Sequence, residues 1–434
     1  MQQYKKKRME ETNYSSEDVF IKRIPNQAYK EMIDVFSEQY HFNNGERMRI
    51  ANYYVGISQR LANIFNEFIE EINQGIVEKK YPQLPTPEGF EPHSDNLLPA
   101  EQNGLFTFAS FDMAVMENSL QNIEFQAVST YPVSAAKLNQ ILLQHLQEED
   151  AYIFADNPTT TWKDFTEMYE EIIADNQTEG IVLTDRLLKQ QKTSFEFYAT
   201  QKELNTSIEI VDMEDIEERD NRLFYTKNGK SQKINRLYNR ILLAEALFED
   251  NYPNNTKTWK FRFDKSYKEL KFINHPVKLY EVSKRLSPYI SHQFNPTCYE
   301  LSEVAEDFRK RKLKFKDYVW KHKWGGAGHR LILSPNFSIL EELSDNLEEY
   351  IAQKKVNFKL FKTDDGQEKI VELRFMTAIH NNNMIIVPMA RLGHITQSIE
   401  GVMQFKIHFG ENNKEGYGFS PVVIFKEKSK KGGK

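Results

Sequence analysis

The stretch FDMAVMENSLQNIEFQAVSTYP (Phe111–Pro132) decides how the chain is read. Two short apolar runs flank the polar link ENSLQ, which two strands joined by a turn explain. Side chains two apart on a strand point the same way, so Glu124 and Gln126 share one face of the second strand. Asp112 stands on the first strand. Two carboxylates and an amide oxygen converging from adjacent strands suit Mg2+, a hard cation that takes few protein ligands and keeps phosphate oxygens and water. The same letters also describe an ordinary amphipathic hairpin with a polar outer face.

A second stretch, VWKHKWGGAGHRLIL (Val319–Leu333), carries glycines between two strand-like runs. Glycines let backbone N–H groups approach an anion that a side chain would keep away. No Gly-Lys-Ser/Thr opens a helix here, so this is not a Walker A loop, and a strand rather than a helix follows, so it is not a dinucleotide fingerprint. A plain turn and a phosphate loop both remain, the latter with Lys321 as a point charge and Lys323 at the loop's edge.

Bulk properties narrow the classes. A chain of 434 residues with 40% hydrophobic and 13% aromatic residues predicts two or three domains with a sizeable core. Its 57 basic and 63 acidic residues give a net charge of −6, against a nucleic-acid-coating role. The lone Cys298 excludes an internal disulfide framework and reads as a packed thiol. No apolar run follows the N-terminal lysines and none reaches membrane length, so a soluble cytoplasmic protein is expected. His275, His329 and His394 are not at metal-ligand spacing, and no hydrolase or protein-kinase motif is present. Thr193 and Gln191 fall where a middle domain meets substrate, with a helix N-cap by Thr193 as the plainer reading.

The expected organisation runs from a charged flexible segment (1–26) through N-terminal helices and the strand pair (27–150). Apolar spacing of three and four predicts helix from Gln27 to Val77. The runs AYIFAD, GIVLTD, SIEIVD and KINRLYNRIL alternate with helices, which predicts a parallel α/β unit over 151–270. An α+β unit follows over 271–425, with FSILEELSDNLEEYIAQ as a helix, and a basic tail over 426–434.

Taken in order, these pieces resemble the circularly permuted ATP-grasp family, the arrangement of eukaryotic glutathione synthetase and glutathionylspermidine-synthetase-like proteins. The resemblance runs from about Leu105 to Phe425. It implies an ATP-grasp fold of α/β and α+β parts with an inserted parallel α/β substrate domain. It also implies ATP-dependent joining of a carboxylate to an amine through an acyl phosphate, with ATP and Mg2+ required. By position, Asp112, Glu124 and Gln126 match the metal ligands, and Lys284 and Lys321 match the nucleotide lysines. Gly325, Gly326 and Gly328 match the phosphate loop, while Gln353 and Lys354 lie where adenine rests. Arg374, Arg391 and Arg240 match catalytic positions, and Tyr238, Arg240 and Ser129 match substrate contacts. The implied partners are small-molecule carboxylates and amines, with a homodimer as a candidate assembly and neither nucleic acid nor membrane. Two departures stand out: Gln126 replaces the family's asparagine, and Ser110 replaces an arginine that contacts substrate in glutathione synthetases. The product is therefore expected to be other than glutathione itself. A nucleotide-binding protein without ligase chemistry, serving a regulatory or partner-binding role, is the alternative.

Overall fold

The computed structural model of the chain describes residues 18–43, 49–326, 330–399, 402–406 and 416–427. Its largest element among these is a seven-stranded antiparallel sheet whose main path runs 402–406, 383–399, 368–380, 108–115, 120–126. The strand Phe108–Val115 shows why both faces are covered. Ala109, Phe111, Met113 and Val115 enter one apolar core, and Phe108 enters the other with Met376 and Ala378. The helix Gln59–Val77 lies against the first face, starting where the Ser58 side chain accepts a hydrogen bond from the Leu61 backbone N–H at 3.1 Å. Its Leu61, Phe65, Phe68, Ile69 and Ile72 recur at helical spacing and are buried. Phe65 stacks on Phe375 with ring centroids 3.7 Å apart. Truncating that ring costs about 3–5 kcal/mol by the usual cavity penalty. Helices Asn26–Gln39, Pro132–His145 and Trp162–Ile173 cover the other face.

Register is what positions the site. Asp112 pairs across to Glu124 on one side and to Arg374 on the other, and Glu372 pairs with Arg391. These residues therefore share one face, with Asp112, Glu124 and Arg374 at one level and the Glu372–Arg391 pair two residues along. A bulge after Asp112 leaves Ile123 unpaired, which keeps Glu124 and Gln126 on the Asp112 side while Phe125 turns to the core.

A second sheet is fully parallel, in the order 271–273, 236–239, 181–185, 208–212. A third, antiparallel sheet has the order 298–300, 350–354, 318–322, 331–332 and packs its Tyr318, Trp320, Tyr350 and Ala352 against the helix Leu301–Arg309. No helix among the described residues is long and apolar enough to cross a membrane.

Several expectations need correction. The Gln27–Val77 run is not all helix: Tyr53–Ser58 is a buried strand, paired antiparallel to Val19–Arg23 and parallel to Val422–Phe425. Partners hundreds of residues away override local spacing there. The same pairing orders residues 18–23 inside the segment expected to be flexible. AYIFAD contributes only Ala151–Tyr152, and to that same sheet rather than to the parallel one, whose last strand, Lys271–Ile273, lies beyond residue 270. The helix expected over FSILEELSDNLEEYIAQ stops at Glu342, and Tyr350–Lys354 is a strand.

Candidate active site

A cleft of about 470 Å³ opens where the hairpin, the two long strands 368–380 and 383–399, and the parallel sheet meet. Its floor is the hairpin face bearing Asp112, Glu124 and Gln126. Arg374 and Arg391 rise from the neighbouring strands beside it. Arg374 grips Asp112 in a fork, through Nε to Oδ1 at 2.6 Å and Nη2 to Oδ2, and gives a third bond to the Tyr131 hydroxyl at 2.7 Å. Arg391 reaches Asp112 Oδ2 at 3.1 Å and also holds Glu372. Burial works against the charge of Arg374, but the pull of Asp112 outweighs it and raises the pKa, so the guanidinium stays charged.

Two lysines approach the hairpin's outer edge. Lys284, 4% exposed, pairs with Glu124 Oε1 at 2.6 Å and donates to the Gly325 carbonyl. Lys321 donates to the carbonyl of Ile123, the bulge residue. Desolvation lowers the Lys321 pKa to about 8, against the opposite pull of Glu124. Gln353 donates to the Asn122 carbonyl at 3.3 Å, and the Asn122 backbone N–H donates to the Phe294 carbonyl at 2.6 Å, so an edge with no further named strand among the described residues is still satisfied. Gly326 sits beside Gln126: a Cβ there would stand 3.8 Å from Gln126 Oε1 and 3.3 Å from Leu242 Cδ1.

The opposite wall comes from the parallel sheet. Asp185 ends one strand and Arg240 follows its neighbour, both at carboxyl ends, where ligands of parallel α/β sheets gather. Asp185 Oδ1 accepts the Arg186 backbone N–H at 2.8 Å, while Oδ2 lies 4.0 Å from Arg240 Nε. That Nε is buried without a hydrogen-bond partner among the described residues. Burial pushes the Asp185 carboxyl up to about 7, with Arg240 drawing it down. Arg240 also donates to the Thr130 carbonyl and to Thr193 Oγ1 at 3.3 Å. Thr193 thus holds an arginine and caps nothing: the N-cap position of Phe195–Glu203 is Ser194, without a side-chain cap.

Of the residues expected in a site, Asp112, Glu124, Gln126, Ser129, Arg240, Arg374 and Arg391 line this one cleft. Tyr238 is buried behind it and shares a hydrogen bond with Ser129 Oγ. Lys284 and Gly325 join through Glu124, and Lys321 and Gln353 touch the far edge of the hairpin. Lys354 is exposed at the end of its strand, and Gly328 and His329 lie outside the described residues. Lys323, expected at a loop edge, is buried and paired with Glu300 at 2.7 Å. Cys298 is buried, as a packed thiol should be. Sequence reasoning missed Asp185, Glu245 and Lys192, which also line the cleft. For Asp185 the signal was present: an acidic residue closing an apolar strand run, GIVLTD.

Among the described residues, no three His, Cys, Asp or Glu side chains gather as a metal-holding group. What the hairpin offers a cation is two carboxylates and the oxygen of Gln126, which is buried and has no hydrogen-bond partner among the described residues. Hard oxygens in that small number fit Mg2+ that keeps phosphate oxygens and water.

No protein-family model matches the chain, and no curated protein matches it. Among solved structures, a chain named "Putative gamma-glutamylcysteine synthetase" from Methylobacillus flagellatus KT is similar over 81% of this chain and 85% of its own length. The two are 11% identical, with a TM-score of 0.40.

Proposed function

We propose that the chain is an ATP-dependent carboxylate–amine ligase of the circularly permuted ATP-grasp kind, acting on an amino acid, peptide or similar small substrate. One observation carries the reading. The buried Gln126 oxygen, without a hydrogen-bond partner among the described residues, stands beside Glu124, Lys284 and the glycines at 325 and 326, where oxygen ligands for a cation and ammonium groups for phosphates converge. When bound, Mg-ATP supplies the phosphoryl group that turns a carboxylate into an acyl phosphate open to attack by an amine.

Each residue then has a physical task. Glu124, Gln126 and Asp112 would hold Mg2+, while Lys284 and Lys321 offset phosphate charge. The backbone at Gly325 and Gly326 can approach an anion because no side chain intervenes. Gln353 and Lys354 are assigned to the base. Arg374 and Arg391 present fixed guanidinium charge to the reacting carboxylate, with Tyr131 and Asp112 holding Arg374 in orientation. Arg240 offers hydrogen-bond donors and Asp185 acceptors, with Nε and Oδ2 4.0 Å apart, which suits a substrate carrying both charge signs.

A second reading, a nucleotide-binding protein without ligase chemistry, draws on Asp112, whose two oxygens are both taken by arginines. ADP release, measured against a pool of amino acids, peptides and polyamines with Mg-ATP, separates the two. The ligase gives release that depends on both an acid and an amine. Mg-ATP binding with no release from any pool favours the second reading.

A further inference from the structure

Lys284 joins three elements at one ammonium: its own turn, the hairpin through Glu124 Oε1 at 2.6 Å, and the glycine segment through the Gly325 carbonyl. Its side chain is 5% exposed and that of Glu124 is 24% exposed. Resting on the ligase reading above, Glu124 is a metal ligand and Lys284 a phosphate ligand. In this structure each occupies the other.

We propose that the Lys284–Glu124 pair is a clasp that holds the site shut against metal alone and against polyphosphate alone. A cation arriving by itself must take Glu124 from an ammonium and leaves that ammonium buried without a counter-charge. A polyphosphate arriving without metal must take Lys284 from a carboxylate and meets that carboxylate's repulsion. When both arrive, each new charge replaces the one removed, so the two ligands bind with positive coupling, which is reciprocal by necessity. Gln126, whose oxygen has no partner among the described residues to release, adds no such barrier.

The test measures two half-ligands by calorimetry: Mn2+ without nucleotide, and ADP in EDTA without metal. Lys284→Met should bind Mn2+ about tenfold tighter than wild type, the scale of a typical coupling between sites. Glu124→Gln should bind metal-free ADP several-fold tighter than wild type, roughly the lower end of that scale. Both signs oppose a simple ligand role, in which each substitution only weakens its own ligand and leaves the other unchanged. Absence of either gain, in wild type that binds Mg-ATP, overturns the clasp and leaves the ligase reading standing. If wild type binds no Mg-ATP, the nucleotide reading falls and the clasp with it. Lys284→Gln, which keeps a donor for the Gly325 carbonyl, replaces Lys284→Met should that variant fail to fold.

Discussion

At the residue scale, Lys321 and Lys323 lie two apart, yet their surroundings separate them. Lys321 reaches the hairpin edge at Ile123, whereas Lys323 is committed to Glu300 at 2.7 Å in a pair with side chains 8% and 10% exposed. Lys321→Ala is expected to weaken Mg-ATP binding by roughly tenfold or more, the worth of one charge-assisted contact. Lys323→Ala should leave nucleotide affinity nearly unchanged but cost about 3 kcal/mol of stability, because it strands the Glu300 charge. Calorimetric titration and urea unfolding of both variants check the pair; equal losses of affinity would contradict it. The Lys321 pKa of about 8 adds a pH signature. Polyphosphate prefers the charged ammonium, so affinity should hold below pH 8 and fall as pH rises through it. The Lys321→Ala variant should lack that fall. Residues on the hairpin were legible because strand alternation fixes their face. Asp185 closes a legible strand run, but long-range packing sets which strand end meets the hairpin, and Glu245 lies on the helix Leu243–Phe248, which only the fold brings to the cleft.

Elements bring their own constraints, and the helix Pro132–His145 shows one. Its first residues carry no side-chain cap, and Pro132 has no N–H to satisfy. Glu196, from the helix Phe195–Glu203, fills the gap by accepting from the Val133 and Ser134 backbone N–H groups at 3.0 and 2.9 Å and from Ser134 Oγ at 2.6 Å. A carboxyl at a helix N-terminus is favoured by the dipole, and here it comes from another element rather than from the helix's own sequence. That is why no capping motif was visible. Burial raises the Glu196 carboxyl from 4.5 to about 7. The folded state therefore keeps a proton that the unfolded chain releases. This contribution is full below about 4.5 and is lost as pH rises through about 7. Glu196→Gln should destabilise by about 1–2 kcal/mol through the lost acceptor, and by more at pH 5 than at pH 8. Urea unfolding of both proteins at the two pH values checks this; a penalty that grows toward pH 8 would contradict it. The turn between 115 and 120 was legible, but the bulge at Ile123 was not, since nothing in NIEFQ marks an unpaired residue.

Across the whole molecule, what could be read in advance followed the range of the interactions. GIVLTD and SIEIVD form parallel neighbours as their spacing implies, because the helix Phe195–Glu203 lies between them, whereas RLYN joins the sheet beyond an antiparallel unit of strands at 217–219, 222–227 and 230–234. The sheet joining Val19–Arg23, Tyr53–Ser58, Val422–Phe425 and Ala151–Tyr152 could not be foreseen, as its strands come from both ends of the chain and the middle. The cleft likewise assembles from residues between 112 and 391, and only register brings Asp112, Arg374 and Glu124 to one level. In the proposed function this assembly activates a carboxylate with ATP. The most direct measurement mixes the protein, Mg-ATP and a panel of amino acids and small peptides with hydroxylamine, which traps an acyl phosphate whatever the natural amine. A ligase should form a hydroxamate in step with ADP for at least one acid, and Glu124→Gln should lose it. Mg-ATP binding by folded protein, with neither hydroxamate nor ADP from any acid of the panel, would contradict the ligase reading.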